Sequence, residues 1–409
     1  MNSSNLLLTT QMFYPDISAT SKIMTHLAVD LSKSGLKVNV VSQNRDYNNP
    51  DKVFESSENV DGVNVERYEV PLLNKNSMIS RLLLSNIVAK RTIDAIKNYD
   101  SEVYISVSNP PNLPLKVAEM AKKENKYFIY ILHDLYPDIL FKTKKLPNNP
   151  VLMKLLKRKT SKIFKISDKI IVLGRDVKNY IISNYSIEST KIEIIPNWGI
   201  KSINNHKNIF NFREKFSLKD KFIVMYTGNI GETADFDVLL NAAKELRFTN
   251  DEIFFVIIGN GRKKKEISEK VLRNSLNNVL LIDFQSEDKY RSILNSADAF
   301  FVSLKRELYG ISVPSKTYYY LSEGKPILGV LPKNSEIDLE ISEDKFGYSC
   351  TDYNSKTLIE MILKLKNDKV IYSQMCKNAL ETFNKHYERE VVTNKYSYLI
   401  KNLIKKVIK

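Results

Sequence analysis

The 409-residue sequence is poor in cysteine, and its apolar runs are short. Its two cysteines, Cys350 and Cys376, are too few for a disulfide framework and are typical of a reducing compartment. No apolar run approaches the roughly 20 residues that span a bilayer. The N-terminal residues lack the basic segment and the long apolar stretch of a secretory signal. These absences predict a cytoplasmic protein without a membrane span.

Motifs for several kinds of chemistry are also missing. The sequence contains neither a Walker A motif nor GxGxxG, which argues against NTPase and NAD chemistry. No spacing of His, Cys and Asp resembles a metal site, and no GxSxG or Cys–His arrangement indicates nucleophilic catalysis. The net charge of +15 would suit a nucleic-acid-binding protein, but RNP aromatics, zinc spacings and a helix-turn-helix are missing. We therefore predict no metal, no cofactor and no nucleic-acid partner.

The sequence does contain an alternation of short β-like runs and helical patterns, which is typical of an α/β protein with parallel sheets. The alternation stops near residues 196–199 and then begins again, which predicts one domain at residues 1–198 and a second at residues 199–385. Residues 386–409 form a third segment, in which the pattern predicts one amphipathic helix over 387–409 that crosses back to the first domain. The expected strands are 6–10, 37–42, 103–107, 127–132, 169–173, 191–195, 222–227, 254–258, 279–283, 299–303 and 326–330.

Ligands of open α/β sheets bind at the carboxyl ends of the strands, and loops there carry unusual residues in the second half. Lys316 stands in the first turn of an expected helix at 316–323, which Ser315 can cap after Pro314. A lysine there opposes the helix dipole unless an anion such as a diphosphate lies beside it. The alternative is an exposed lysine at a helix start. Two glycine loops, which either admit a ligand or simply make turns, contain Gly228, Asn229, Gly231, Gly259, Gly261 and Arg262.

One loop of the first half is similarly polar. His133 follows the very apolar strand expected at 127–132, and Asp134 and Asp138 come next around a proline. This spacing indicates a polar cluster at the carboxyl edge of the first sheet. The alternative is a loop histidine followed by a helix-capping aspartate.

Taken in order, these pieces resemble the GT-B glycosyltransferases of family 4 over nearly the whole chain. The opening, from Tyr14-Pro15-Asp16 through Thr20 to Val38, is similar to the start of that family. Ser108-Asn109-Pro110-Pro111 resembles its SxPP turn, and Ile195-Pro196-Asn197-Trp198 resembles its interdomain segment. The second-half loops match in order and spacing. The VPSK…GKP form at 313–326 is similar to the L-fucosamine transferase-like branch from bacterial O-antigen and capsule clusters.

The resemblance implies a GT-B fold, in which two Rossmann-like domains face each other across a cleft. It implies a retaining, metal-independent transferase whose donor is a nucleotide diphosphate sugar, UDP-linked and for example an N-acetylated amino sugar. The implied acceptor is a lipid-linked glycan on polyprenyl diphosphate, in O-antigen or capsule synthesis. Two alternatives are a sugar-nucleotide epimerase of the same fold and a non-enzymatic polyanion-binding protein.

Residue roles follow by the same resemblance. His133 and Lys316 are the expected catalytic residues, and Thr20, Asp134 and Asp138 are expected on the acceptor side. The family's two glutamates are replaced by Ile311 and Tyr319, and Glu307, Glu323 or Glu336 are candidates to substitute for them. The expected donor-binding residues are Gly228, Asn229, Gly231, Gly259, Gly261, Arg262, Pro314, Ser315, Lys316 and Glu336.

The positive charge is concentrated between residues 142 and 169. That segment has ten basic residues and one acid, Asp168. Apolar residues recur in it at helical spacing, which predicts a basic amphipathic helix. The alternative is an ordinary surface helix with its apolar stripe on the core. Because the expected acceptor is carried by a lipid, we predict peripheral association with the anionic inner face of the plasma membrane.

Overall fold

The computed structural model describes residues 5–72, 78–201 and 211–407, which fold into two compact α/β units. The first unit consists of Met1–Pro196 with Val392–Lys409, and the second of Asn197–Val391. The division therefore falls between residues 196 and 197, where the sequence pattern placed it between 198 and 199.

In its described residues, the first unit has an eight-stranded sheet in the order β3-β4-β2-β1-β5-β6-β7-β8. All neighbouring strands are parallel except β3 and β4, which are antiparallel. The central strands are nearly continuous apolar runs because helices cover both faces of a parallel sheet. The strands are β1 (Asn5–Thr9), β2 (Lys37–Gln43), β3 (Ser57–Val60), β4 (Val63–Tyr68), β5 (Val103–Val107), β6 (Tyr127–Leu132), β7 (Lys169–Val172) and β8 (Ile192–Ile194).

Helices connect these strands and lie against the sheet. Polar caps begin several of them: Ser18 accepts from Ser21 N–H at the start of α1, and Asn149 accepts from Val151 N–H at the start of α5. The helices are α1 (Ala19–Lys33), α2 (Met78–Ile96), α3 (Leu113–Lys123), α4 (Asp138–Lys142), α5 (Pro150–Ile166) and α6 (Arg175–Tyr185).

The second unit repeats the plan with a six-stranded parallel sheet in the order β11-β10-β9-β12-β13-β14. Its strands are β9 (Phe222–Thr227), β10 (Ile253–Ile258), β11 (Val279–Ile282), β12 (Ala299–Ser303), β13 (Ile327–Val330) and β14 (Gly347–Cys350). Its helices are α7 (Phe212–Lys215), α8 (Asp237–Thr249), α9 (Lys264–Arg273), α10 (Glu287–Asn295), α11 (Lys316–Ser322), α12 (Glu336–Asp344), α13 (Ser355–Asn367) and α14 (Lys369–Thr382). The order reverses between β9 and β12, and such a switch point is where open α/β sheets bind ligands.

The eleven expected strands are present, with no end shifted by more than one residue, but three other strands of the described residues were missed. Strands β3 and β4 form an edge hairpin, and β14 lies at the edge of the second sheet. None of the three has the continuous apolar run that identifies a central strand. Only β3 and β14 are unpaired on one side, whereas β4 pairs with both β3 and β2 but contains the polar residues Asn64, Glu66 and Arg67, so the sequence signal of all three strands is weak.

The C-terminal helix, α15 (Arg389–Val407), belongs to the first unit from Val392 onward. It begins two residues later than expected because a π-helical turn occupies Phe383–Tyr387. Its Lys401 ammonium donates to the carbonyl of Ser34 at the end of α1, at 2.7 Å. The apolar side chains that it buries are Val392, Tyr396, Ile400, Leu403 and Ile404.

Removing residues 392–409 should therefore make the protein aggregate, because the partner surface of this apolar stripe becomes exposed. A matched pair of point variants tests the same idea more gently. Tyr396→Asp buries a charge and should reduce the soluble yield, whereas Tyr398→Asp changes a side chain that is 72% exposed and should be tolerated. Size-exclusion chromatography reports both. Equal behaviour of the two variants would contradict the assigned packing.

Candidate active site

Two turns of the second unit lie side by side at the carboxyl edge of its sheet. Gly228, after β9, has φ +128°, and Gly259, after β10, has φ +151°. Gly228 N–H donates to the carbonyl of Ile258 at 2.8 Å. A Cβ on Gly259 would lie 1.8 Å from the Gly228 oxygen, and one on Gly261 would lie 2.3 Å from the oxygen of Ile230. The turns can pack this closely only with glycine, so these glycines build the edge itself.

Lys316, the first residue of α11, extends its ammonium group toward the first of these turns. Its Nζ lies 3.6 Å from the centroid of the Tyr226 ring, which provides a cation–π contact. A Cβ on Gly228 would lie 3.3 Å from the same Nζ. Among the described residues, no carboxylate forms an ion pair with Lys316. Desolvation lowers the pKa of Lys316 to about 7. A bound anion would compensate this desolvated cation.

A cluster of hydroxyl groups fixes the end of β9 directly before Gly228. The Tyr320 hydroxyl accepts from Thr227 N–H at 2.8 Å and lies 3.0 Å from the Thr227 carbonyl oxygen, to which it can donate. The Tyr290 hydroxyl lies 2.9 Å from Thr227 Oγ1. The Tyr320 ring stacks on Phe300 at 4.0 Å between centroids. These contacts hold the turn, and the sequence analysis missed them.

The remaining loop residues with expected donor roles lie at the same edge, with one correction. Asn229 is exposed in the first turn, and Arg262 is exposed just after the second. Ser315 occupies the N-cap position of α11, but its side chain makes no capping hydrogen bond, contrary to our expectation. Instead, the Thr317 hydroxyl donates to the carbonyl of Pro314 at 2.8 Å. Ser315 is thus left exposed beside Lys316.

The two positions that lack the family's glutamates differ in environment. Ile311 is buried, and Tyr319 is half-buried on α11. Of the candidate substitutes, Glu307 is exposed in a short 3-10 turn after β12. Glu336 is buried at the start of α12, after β13. Both therefore follow strands of this sheet at the carboxyl edge.

Glu323 is placed differently. It follows the last residue of α11, about 10 Å along the helix axis from Lys316. Its carboxylate is almost completely buried, and Arg291 Nη1 lies 3.9 Å from it. Burial raises the pKa of Glu323 to about 7. Direct contact between this carboxylate and the hydroxyls of a ribose or sugar does not fit its burial.

In the first unit, His133 follows β6 at the carboxyl edge of the sheet. The backbone N–H groups of His133 and Asp134 both donate to Ser108 Oγ, at 3.2 Å and 3.4 Å. The Ser108 turn after β5 therefore holds the loop after β6. The Nε2 atom of His133 is buried and makes no hydrogen bond. Desolvation lowers the pKa of His133 to about 4, so its imidazole is neutral at physiological pH.

The residues expected on the acceptor side are not equivalent. Thr20 is half-buried in the first turn of α1, and Asp134 is half-buried beside His133. Asp138 is buried, and both of its carboxylate oxygens accept hydrogen bonds from within the first unit. Direct contact between Asp138 and an acceptor does not fit this burial.

In the described ranges, no group of three or more His, Cys, Asp or Glu side chains is arranged to hold a metal ion. None of the helices described has the length and apolar character needed to cross a membrane.

Comparison with known families accounts for both units. Residues 21–198 match the model "Glycosyltransferase Family 4", and residues 208–382 match "Glycosyl transferases group 1". The chain carries the two domains of a GT-B glycosyltransferase.

Individual relatives agree with this assignment. The glycosyltransferase is 25% identical over 312 residues to the probable glycosyltransferase WbjE of Pseudomonas aeruginosa, covering 73% of this chain and 75% of WbjE. It is 27% identical over 161 residues to WcaI of Escherichia coli, a putative colanic acid biosynthesis glycosyl transferase, covering 38% of this chain and 39% of WcaI. Its fold is similar to that of HepE of Anabaena, solved with UDP and glucose. The TM-score is 0.71 at 12% identity, covering 98% of this chain and 100% of HepE.

Sequence reasoning selected the charged and glycine residues that lie at this edge of the sheet, but not the tyrosines beside them. Tyr290 and Tyr320 are far apart in sequence and meet only at Thr227. Tyr320 belongs to the run Tyr318-Tyr319-Tyr320, which is unusual in a short helix and was the one available signal. Because successive residues of a helix point in different directions, this run predicts that at least one of the three rings faces the sheet, as Tyr320 does at Thr227 of β9.

Proposed function

We propose that this glycosyltransferase transfers a sugar, with retention of configuration and without a metal ion, from a nucleoside diphosphate sugar. The observation that supports this most strongly is the Lys316 ammonium, which lies beside Gly228 without a counter-charge. A diphosphate group would supply the missing charge. Gly228, Asn229, Gly231, Gly259, Gly261 and Arg262 then surround the phosphates in the proposed complex.

The proposed role of these groups follows from the chemistry of sugar transfer. Negative charge grows on the departing diphosphate as the bond to the sugar breaks. A positioned cation and backbone N–H groups stabilise that charge without reorganising during the reaction. In a retaining reaction the acceptor hydroxyl can pass its proton to a phosphate oxygen, so no protein base is required. His133, neutral and with a free Nε2, would contact the reacting sugar.

A UDP-linked donor is the first one to test. HepE, whose fold is similar, was solved with UDP and glucose, and this supports uridine without identifying the sugar. The departures at Ile311 and Tyr319 leave Glu307 and Glu336 as the candidate partners of ribose or sugar hydroxyls.

Calorimetry with nucleotides alone tests the diphosphate assignment, because it needs neither a sugar nor an acceptor. With EDTA present, UDP or GDP should bind at least about tenfold more tightly than the corresponding monophosphate, as expected for one added charge-assisted contact. Equal affinity for UMP and UDP, and for GMP and GDP, would contradict the assignment of Lys316 to the diphosphate.

We further propose that the acceptor is a lipid-linked glycan of a surface polysaccharide and that the protein rests on the anionic inner leaflet. The WcaI name supports the first part, since colanic acid is such a polysaccharide. The second part is supported by α5, where Val151 is 78% and Leu155 is 52% exposed. Only the C-terminal part of the helix, around Ile163 and Phe164, buries its apolar stripe.

The basic residues of α5 are of two kinds. Lys157 and Lys162 form ion pairs with Asp138 and Glu119, at 2.8 Å and 2.6 Å, so their charges are already compensated. Four others are exposed, and their side chains have no ionic partner among the described residues: Lys154, Arg158, Lys159 and Lys165. A lipid surface can attract each of these by about 1 kcal/mol.

Vesicle flotation tests membrane binding. At low salt the protein should float with anionic vesicles and not with neutral ones, and high salt should release it. Reversing the four unpaired residues to Glu should abolish flotation. A control variant makes the same change in charge on the second unit, by replacing four exposed lysines with Glu: Lys244, Lys333, Lys356 and Lys369. This control should keep more vesicle binding than the α5 variant. Equal recovery with neutral vesicles, or equal loss in both variants, would contradict the role of α5.

A further inference from the structure

A buried carboxylate joins three helices of the first unit just after the His133 loop. Asp138 is the first residue of α4 and is 4% exposed. Its Oδ1 accepts from the Tyr180 hydroxyl at 2.8 Å and lies 2.8 Å from Lys157 Nζ. Its Oδ2 accepts from the Tyr185 hydroxyl. The carboxylate thus ties α4 to α5 through Lys157 and to α6 through the two tyrosines.

These donors are matched to a buried charge. A carboxylate removed from water is costly unless hydrogen bonds and an opposite charge compensate it. Burial, together with Asp138, raises the pKa of Tyr180 and Tyr185, so both hydroxyls keep their protons as donors. Lys157 supplies the positive charge and also lies 5.4 Å from the centre of the Tyr185 ring.

The segment that ends at Asp138 is the loop that carries His133. At its start, Ser108 Oγ accepts from the backbone N–H of His133. Before its end, the Thr160 hydroxyl of α5 donates to the carbonyl of Tyr136 at 2.8 Å. The imidazole Nε2 has no hydrogen bond of its own. The direction of the His133 ring therefore depends on the backbone that these contacts hold.

We propose that Asp138, held by Tyr180, Tyr185 and Lys157, is a positioning residue that fixes the His133 loop for catalysis. This inference rests on the proposed function of His133. In this proposal Lys157, although it lies on the basic helix α5, compensates the charge of Asp138 and does not bind lipid. It also replaces the acceptor-side role that the sequence suggested for Asp138.

The first unit offers a matched control for the loss of one tyrosine hydroxyl. Tyr104, on β5, is fully buried, and its hydroxyl donates to Glu124 Oε2 at 2.7 Å. It lies near the amino end of its strand, whereas the His133 loop leaves the carboxyl end of the neighbouring strand. Tyr104→Phe and Tyr185→Phe each remove a hydroxyl from a carboxylate, but only the second change touches the proposed positioning cluster.

The kinetic test uses the full chain and the hydrolysis of a nucleotide sugar that the wild type turns over. Tyr185→Phe should lower kcat about tenfold with little change in KM, because a small misplacement of a catalytic group is enough for such a loss. Tyr104→Phe should leave kcat unchanged, although it should shift the denaturation midpoint about as much as Tyr185→Phe does. In a His133→Ala background, Tyr185→Phe should cause no further loss. The inference would be overturned if the double variant lost activity by the product of the two single losses, or if Tyr185→Phe and Tyr104→Phe had equal kcat values.

A second measurement does not require turnover. The chain has four histidines, and the His133 imidazole signals in a ¹H–¹⁵N spectrum are assigned by their absence in His133→Ala. Tyr185→Phe should shift those signals, and Tyr104→Phe should not. If His133→Ala leaves kcat unchanged, the proposed function of His133 fails, while the spectrum still tests the coupling. Unshifted His133 signals in Tyr185→Phe would reject the positioning role itself.

Discussion

Replacing Lys316 with methionine should weaken UDP binding about ten- to hundredfold, the effect of losing a charge-assisted contact of about 1.5–3 kcal/mol. Methionine keeps a similar length and the apolar stem of the side chain and removes the charge together with the N–H donors of the ammonium. Lys364→Met is the matched control, since Lys364 also lies over a tyrosine ring, 5.3 Å from the centroid of Tyr348 on the second unit. That control should bind UDP as the wild type does. Unchanged UDP affinity in Lys316→Met would remove the main support for a diphosphate site.

The pKa of Lys316 makes the same experiment sensitive to pH. In the free protein the pKa is lowered to about 7, so the ammonium loses its proton as pH rises through that value. A bound diphosphate stabilises the protonated form and raises the pKa again. At pH 8 the binding of UDP should therefore be accompanied by proton uptake at Lys316 in the wild type. Calorimetry in buffers of different ionisation enthalpy should find this uptake missing in Lys316→Met.

Replacing His133 with alanine should lower turnover about a hundredfold and leave UDP affinity almost unchanged, comparable to removing one preorganised hydrogen-bond donor. The reason is the proposed contact between His133 and the reacting sugar, in which Nε2, buried and without a partner in the protein, would gain a hydrogen bond. Because the pKa of His133 is lowered to about 4, its imidazole stays neutral from pH 6 to 8 and adds no slope to kcat there.

His133→Asn separates the chemical role from packing, since asparagine retains a polar group near the position of the imidazole. It should recover part of the lost turnover. A simultaneous loss of UDP binding in His133→Ala would show instead that His133 supports the fold or the phosphates.

The central strands could be predicted from the sequence alone, because their apolar runs recur along the chain. The apolar runs at 127–132 and 254–258 identified central strands because both faces of a parallel strand are buried. Position directly after a strand selected His133, and position in the first turn of an expected helix selected Lys316. Strands β3, β4 and β14 were missed because they lack that apolar run.

Contacts between residues that are far apart in the sequence could not be predicted from such patterns. The resemblance placed Asp138 on the acceptor side, but Lys157, Tyr180 and Tyr185 surround it. Those side chains come from α5 and α6, and only tertiary packing brings them to α4. The same holds for Glu323, whose burial beside Arg291 did not follow from its place at the end of the expected helix 316–323.

Incubation of the purified protein with a panel of UDP- and GDP-sugars, in the presence of EDTA, tests the central proposal most directly. NMR spectroscopy follows both the loss of the donor and the configuration of the sugar first released. We predict slow hydrolysis of one donor, with the released sugar keeping the anomeric configuration of that donor, and loss of this activity in Lys316→Met. Conversion of a nucleotide sugar to its epimer, release with inverted configuration, or no reaction with any donor would contradict the account.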